Sequence, residues 1–447
     1  MSCFEHNKSD DIITVYKSNL HSDGVKVLKK INKDDVIFYE TPMCCLQSIP
    51  NRQDAICCSF CFRFIGTVDM QLNILKKEIT RQDVITYVND NNNDNDNDNK
   101  DLILTDRIIP CQSNCGTLYC NENCRDEHMK KSHKYLCTGY IDEKDADNNC
   151  LFQFILHSIE TNEIFLLVGD VYARILCDID EGKSIENAMK PWLGYCRNKW
   201  EDVAKTNDTD ETAVEFAETL KKLTLESWEL LCDAFDLQSK KLDKILDHDF
   251  MSRTIGMFEQ NNVGVRLTNP ILNYIKKMDD DSELIESMLD NIKQISKNLE
   301  SLDDVEWEDV EDDEENDDND DNKENEIENK SIFVRVPTNP KLIELEEILK
   351  EEGEENIFPP LDGTAFYKTI CKINHSCCPN CIVRYNTDSV QGLVAQVIAL
   401  NEIEEGEELV QSYIDQSLDI NSRQAALRDY GFECRCIKCT EEKTMTK

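Results

Sequence analysis

The sequence predicts an α+β fold of short strands that carries an inserted zinc-binding module, a helical insert and a C-terminal zinc motif. Three observations predict it. Cysteines cluster at metal-ligand spacings in two places, apolar residues recur at helical period through the middle, and short β-branched runs occupy both ends.

At 447 residues the chain is long enough for several modules. Its 90 acidic and 49 basic residues give a net charge of -41, which repels a phosphate backbone, so no direct nucleic-acid binding is expected. An acidic surface suits a basic protein segment, although much of the charge lies in one run that also reads as a solvated linker. The 22 cysteines come without a leader: MSCFEHNKSDD, from Met1 to Asp11, has no apolar core and no cleavage site. We therefore expect a reducing compartment, cytoplasm and/or nucleus, in which clustered cysteines hold zinc. Scattered ones such as Cys150, Cys177, Cys196 and Cys232 then fill the core. No membrane span is expected, because Gln153, His157, Glu160 and Glu163 interrupt the most apolar stretch, 150–168, which reads as a buried helix.

Residues 10–45 form an opening β unit, with VKVL and DVIFYE as strands around a turn at Ser22, Asp23 and Gly24. Residues 46–140 hold the first cysteine cluster, interrupted by the Asn/Asp repeat 91–100, a loop insertion too polar to build a core. From 141 to 258 the spacing in ILHSIETNEIFLLV and AVEFAETLKKLTLESWELL predicts a helical insert. A core segment over 259–275 precedes a helical and acidic linker over 276–360, disordered along 303–330. CIVRYN, GLVAQVIAL and EELVQSYI predict strands within 361–416, and a cysteine-rich tail fills 417–447.

In the first cluster Cys58 and Cys61, Cys111 and Cys115, Cys120 and Cys124, and His133 and Cys137 form four close pairs. Eight such ligands close two tetrahedral zinc sites, and each metal supplies folding energy to a segment with little core of its own. Cys57 is an alternative to Cys58; His128 is an alternative to His133, though it reads better as a surface histidine. In the tail, Cys434, Cys436 and Cys439 need a fourth ligand. Cys377 and Cys378 in NHSCCPN, residues 374–380, are the candidates.

LYCNENCRDEHMKKSHKYLC resembles a MYND finger. NHSCCPN, EEGEELVQSYID and RDYGFECRCIKC resemble the second half of a SET domain with its post-SET motif, and GVKVLKKINKDDVIFYETP resembles its opening strands. Together the motifs resemble the SET and MYND domain-containing protein lysine methyltransferases. IGMFEQNNVGVRL and GTAFYKTICKINHS are similar to the branch near the plant trithorax-related group, and the end at Lys447 leads us to expect no C-terminal helical-repeat domain. The resemblance implies an S-adenosyl-L-methionine-dependent protein-lysine N-methyltransferase with about three Zn2+, acting as a monomer on a histone or another basic, lysine-containing segment. It implies interleaved finger ligands: Cys58, Cys61, Cys120 and Cys124 on one zinc, and Cys111, Cys115, His133 and Cys137 on the other. Such fingers usually bind a partner peptide. Cys377 would complete the site of Cys434, Cys436 and Cys439. Asn374 and His375 match cofactor contacts, Phe432 the aromatic beside adenine, Tyr367 and Asn261 further pocket positions, and Tyr413 the catalytic tyrosine of the methyl-transfer channel. Asp23 departs from the usual Gly- or Asn-rich turn and puts an acid near the cofactor carboxylate. A catalytically weak adaptor on a retained scaffold is the alternative reading.

Overall fold

In the computed structural model the described residues are 11–18, 23–90, 104, 105, 107–142, 144–204, 210–280, 282–303, 339–385, 392–428 and 430–445. The Asn/Asp repeat 91–100, the acidic run beyond Asp303 and Ser22 lie outside them. The chain divides into two compact units, residues 1–71, 80–268 and 360–447 in one, and 72–79 with 269–359 in the other.

The first unit assembles its sheets from distant pieces of chain. Strands β1 (Ile13–Lys17), β2 (Asp23–Val27), β3 (Val36–Glu40) and β4 (Cys44–Gln47) come first, followed by the finger hairpin β5 (Ile109–Pro110) and β6 (Leu118–Tyr119). The rest are β7 (Val263–Leu267), β8 (Leu361–Phe366), β9 (Asn374–His375), β10 (Cys381–Tyr385), β11 (Ala395–Ala399) and β12 (Glu408–Gln411). They form sheets ordered β1-β2-β12-β9, β10-β11-β3 and β4-β8-β7, with β5-β6 apart. Alternating Val25, Val27, Ile37, Ala395, Val397 and Leu409 point inward and share one core, as a two-residue side-chain period dictates. The strands expected at VKVL, DVIFYE, CIVRYN, GLVAQVIAL and EELVQSYI are all present. Asp23 and Gly24 are not a turn, however. They open β2 and pair with Lys17 and Tyr16.

Helices Cys150–Thr161, Ile164–Asp180, Asp210–Ala234 and His248–Asn261 form the helical insert. Phe154, Phe165, Val171, Ile175, Leu231 and Phe250 supply its core. The apolar stretch 150–168 is not one helix but two, because Asn162 departs from helical geometry and its side chain accepts from Ile164 N at 2.9 Å. Cys177 and Cys232 are buried as expected, Cys150 is half-buried, and Cys196 is exposed. Between the first and second ligand pairs, ahead of the Asn/Asp repeat, the chain forms two helices, Val68–Leu75 and Arg81–Asp90.

In the second unit the helical part of the expected linker is a packed pair. Within 276–360, the helix Ile285–Asp303 packs on Pro340–Glu352. Ile285, Met288, Leu289 and Ile292, at offsets of three, four and seven, are buried on the first helix, and Leu342, Leu345 and Leu349 on the second. Ion pairs Lys293–Glu344 (2.5 Å) and Lys341–Glu286 (2.6 Å) lie between the two.

Four segments meet at Glu408 on β12. Its carboxylate accepts from Tyr16 OH (2.5 Å), Ser18 Oγ (2.8 Å) and Asn374 Nδ2 (2.7 Å), and Asn374 also donates to Asp23 O (3.2 Å). Gly24 lies over this junction. A Cβ there would run into Glu408 Oε1 and lie 2.8 Å from Ser18 Cβ. Replacing Gly24 by Ala is expected to destabilise the fold by about 1–3 kcal/mol, read from denaturant melts. Unchanged stability would show that the junction yields without cost.

Candidate functional site

Three groups of ligand atoms gather as tetrahedral zinc requires. Cys58, Cys61, Cys120 and Cys124 form one, Cys111, Cys115, His133 and Cys137 the second, and Cys377, Cys434, Cys436 and Cys439 the third. In each, all ligand atoms lie within 4.8 Å of one another. Zn–S bonds of about 2.3 Å imply tetrahedron edges of about 3.8 Å. The sulfur separations match: Cys61–Cys120 3.6 Å, Cys120–Cys124 3.5 Å, Cys111–Cys137 3.6 Å, Cys377–Cys439 3.6 Å and Cys377–Cys434 3.9 Å. The donor sets therefore fit zinc, and the finger ligands interleave.

The alternatives resolve on geometry. Cys57 Sγ donates to Gln47 Oε1 (3.2 Å), and burial pushes its thiol up to about 12, so it is no thiolate ligand. Cys378 is exposed and outside the cluster, whereas Cys377 is buried within it. His128 is not a surface histidine. Its Nδ1 lies 3.1 Å from Tyr119 OH and its ring stacks on His133 at 5.0 Å, and burial lowers its imidazole to about 3.

The third cluster connects directly to the Asn374–His375 turn. β9 runs parallel to β12, with Asn374 beside Val410 and His375 beside Gln411, which brings the turn next to Tyr413. His375 Nδ1 accepts from Tyr413 N (3.0 Å), so the ring proton sits on Nε2 and is donated to Cys377 Sγ at 3.3 Å. One imidazole thus ties a metal ligand to the tyrosine backbone. Asn380, in the same motif, holds the other edge of β12: its Oδ1 accepts from Val410 N (2.9 Å) and its Nδ2 donates to Glu408 O (2.8 Å). Arg423, 1% exposed, donates to Cys439 Sγ (3.7 Å), Glu442 Oε2 (2.6 Å) and Leu418 O (2.5 Å), and sets a buried cation against four sulfurs.

Beside this junction is a pocket of about 150 Å³, lined by Asn261, Gly264, Cys371, Gln411, Tyr413 and Tyr430 among others. Tyr413 OH donates to Ile373 O (2.7 Å), which leaves its oxygen lone pairs as acceptors. Burial raises its phenol above the ordinary value, so it stays protonated. Ring centroids separate Tyr413 from Tyr430 by 5.1 Å, His375 from Phe432 by 5.9 Å and Tyr413 from Phe432 by 6.4 Å. Asn261 reaches the pocket wall while donating to Cys196 O (3.0 Å) and Met257 O (2.7 Å). Buried Glu40 fixes the wall at Ile370 and Cys371 by accepting from Thr369 N and Ile370 N, both at 2.8 Å.

Tyr367, just past β8, is fully buried in the sheet core with Val265 and Ala365 and is not among the residues that line this pocket. Tyr430 lines the pocket and was missed; its place in RDYGF, two residues before Phe432, is the signal that could have found it. The acid at Asp23 is balanced. It pairs with Lys17 (2.5 Å) and Lys372 (3.2 Å), and the Lys17 bond, then that from Lys372, holds its carboxyl below the usual range.

Metal analysis of the purified chain is expected to find three zincs, one per cluster. Cys377→Ser and Cys58→Ser should each lower that count, while Cys378→Ser and Cys57→Ser should keep it. The opposite pattern in either pair would reverse the ligand assignment.

The model of the SET domain family matches residues 209–414. Histone-lysine N-methyltransferase ATXR2 of Arabidopsis thaliana is 27% identical over 487 residues, which cover 94% of this chain and 88% of that protein. N-lysine methyltransferase SMYD2 is 45% identical in Gallus gallus over 87 residues, 19% of each chain, and 44% in Homo sapiens over 79 residues, 17% of each. The similarity to the plant protein runs nearly end to end, and the match to SMYD2 is confined to about a fifth of either chain. With a match to the SET domain model and interleaved finger ligands, the chain is similar to methyltransferases of the SET-and-MYND type, the plant ATXR2 protein among them.

Proposed function

We propose that the chain is an S-adenosylmethionine-dependent protein-lysine N-methyltransferase acting on a histone or another basic protein segment. The observation that carries this reading is the coupling of Cys377, His375 and Tyr413 beside a pocket that Tyr413 and Tyr430 line and that, among the described residues, no Lys or Arg lines. Aromatic faces suit a sulfonium and an incoming amine, since both centres carry or develop positive charge. The small pocket suits a lysine side chain and the transferred methyl, and the cofactor's larger part would lie along the Asn374–His375 turn and Phe432. When bound, that cofactor supplies the electrophilic methyl group.

What the chain's own residues do follows from their bonds. Both amide protons of Asn374 go to Asp23 O and Glu408, so it contributes a rigid turn, its backbone and its Oδ1. Tyr413 acts as an acceptor that orients the amine; burial raises its phenol, which disfavours the phenolate a base would need. Closing the pocket excludes water and favours the neutral amine. The net charge of -41 draws a basic segment towards the chain. We read the finger as a peptide-binding module and the chain as a monomer of the cytoplasm and/or nucleus. Among the described residues no helix is long and apolar enough to cross a membrane.

Calorimetry with S-adenosylmethionine should show saturable binding that Asn374→Ala abolishes. Absence of binding to the natural chain would favour the adaptor. Tyr413→Phe should cut methyl incorporation into extract proteins by about 10-fold or more while cofactor binding persists. With the phenol held above its ordinary value, the rate should rise with pH as the substrate amine deprotonates, and the variant should keep that profile. A pH inflection lost in Tyr413→Phe would identify the tyrosine as a titrating base.

A further inference from the structure

A second cavity, of about 940 Å³, has no part in methyl transfer. One wall is the helix Arg81–Asp90, which presents Arg81, Ile85 and Asn89, four residues apart and hence on one face. Opposite are apolar residues of the helical insert, among them Phe152, Ile155 and Leu166. Arg52 also lines the space.

The two arginines are the anomaly. Among the described residues neither forms an ion pair, and Arg81 Nη1 is buried without a hydrogen-bond partner. Nearby acids are engaged elsewhere. Glu163 accepts from Ile49 N (2.8 Å) and Ser48 Oγ (3.4 Å), and Asp170 holds Arg174 at 2.6 Å. Burial lowers both guanidiniums from their ordinary values, and the charge of Arg81 lowers Arg52 further. Unpaired cations in a partly buried space are costly, and a carboxylate between two guanidinium forks is the arrangement that relieves the cost.

A second orphan specifies more. Asn89 Oδ1 is buried and accepts nothing, and eight helical residues separate it from Arg81, about 12 Å along the axis. A ligand that satisfies both ends carries an anion at one end, an apolar body and an N–H donor several atoms away. A simple phosphate is too small and has no donor at that distance. An acidic protein surface would meet repulsion from a chain of net charge -41, whereas a single carboxylate followed by apolar residues would meet little.

We propose that this cavity binds a short apolar peptide segment ending in a free carboxylate, the carboxylate between Arg52 and Arg81, the apolar side chains against Phe152 and Leu166, and a backbone N–H on Asn89 Oδ1. This differs from the substrate site, which takes a lysine, and stands independently of methyl transfer.

The test uses the zinc-loaded full chain and a pool of N-acetylated tetrapeptides built from Leu, Phe, Val and Ala, with affinity selection read by mass spectrometry. The pool with free carboxylates should be retained about 10-fold or more over the same pool as C-terminal amides. Arg52→Gln and Arg81→Gln should erase that preference while zinc content stays unchanged. Octanoate, which has the anion and the apolar body but no N–H, should compete only weakly. Equal retention of acids and amides, or no retention of either, overturns the proposal. Competition by octanoate as strong as by the peptides overturns the peptide as occupant. If either variant fails to fold, the acid-against-amide comparison on the natural chain still decides.

Discussion

The structure depends on one contact: the imidazole of His375, with Tyr413 N–H on one nitrogen and the sulfur of Cys377 on the other. The tautomer is dictated by these neighbours, since a nitrogen that accepts from an amide leaves the ring proton on the other. Cys377 shares a cluster with Cys434, Cys436 and Cys439, so a metal there draws the chain end onto the turn across a loop of about sixty residues. A zinc bound there would couple its affinity to the pocket geometry and add its binding free energy to folding. Arg423 supports the same point. Four thiolates around a divalent ion leave two negative charges, and a guanidinium 1% exposed offsets part of them where no water can.

Two carboxylates hold the remaining joints without taking part in the chemistry. Glu408 gathers β1, β2, β9 and β12 through Tyr16, Ser18 and Asn374, and Glu40 caps the backbone at Thr369 and Ile370. Each accepts several hydrogen bonds in a partly or fully buried position, where an unpaired carboxylate would be untenable. Burial nevertheless raises the Glu40 carboxyl, while the bonds from Ile370 N and from the backbone and side chain of Thr369, with the charge of Lys368, pull it back. These acids belong to the fold, unlike those that make the chain so acidic overall.

The ligands were legible in the sequence because metal chemistry restricts both residue type and spacing, and no alternative use of cysteine produces four close pairs in order. Strands were legible for a similar reason, as in GLVAQVIAL, where a two-residue period survives any change in partner. The pocket lining was less legible. Tyr430 was not singled out, since only the fold of the tail brings its ring to 5.1 Å from Tyr413. Tyr367, near the motif in sequence, lies on the core side just beyond its strand, and period alone does not say which face is the core. The helical character of 276–360 was legible but the packing across the acidic run was not, because Ile285–Asp303 and Pro340–Glu352 each hold a narrow apolar stripe that needs the other for burial.

The separation of partners along the chain explains why so much can be inserted into this fold. β2 pairs with β12 and β3 with β11, contacts that span more than 350 residues, yet the inserted chain leaves and returns at the ends of strands rather than within them. The finger ligands gather within their own segment and the helical block builds most of its own apolar core, while Cys44 and Phe366 of the sheets join that core and Phe62 and Phe64 of the finger segment join the sheet core. Sheet pairings this distant cost loop-closure entropy that rises only slowly with loop length. An insertion that folds locally shortens the effective loop, and one that also packs on the sheets, as the helical block does through Phe366, favours the strand pairings on which the Glu408 junction and the His375 link depend.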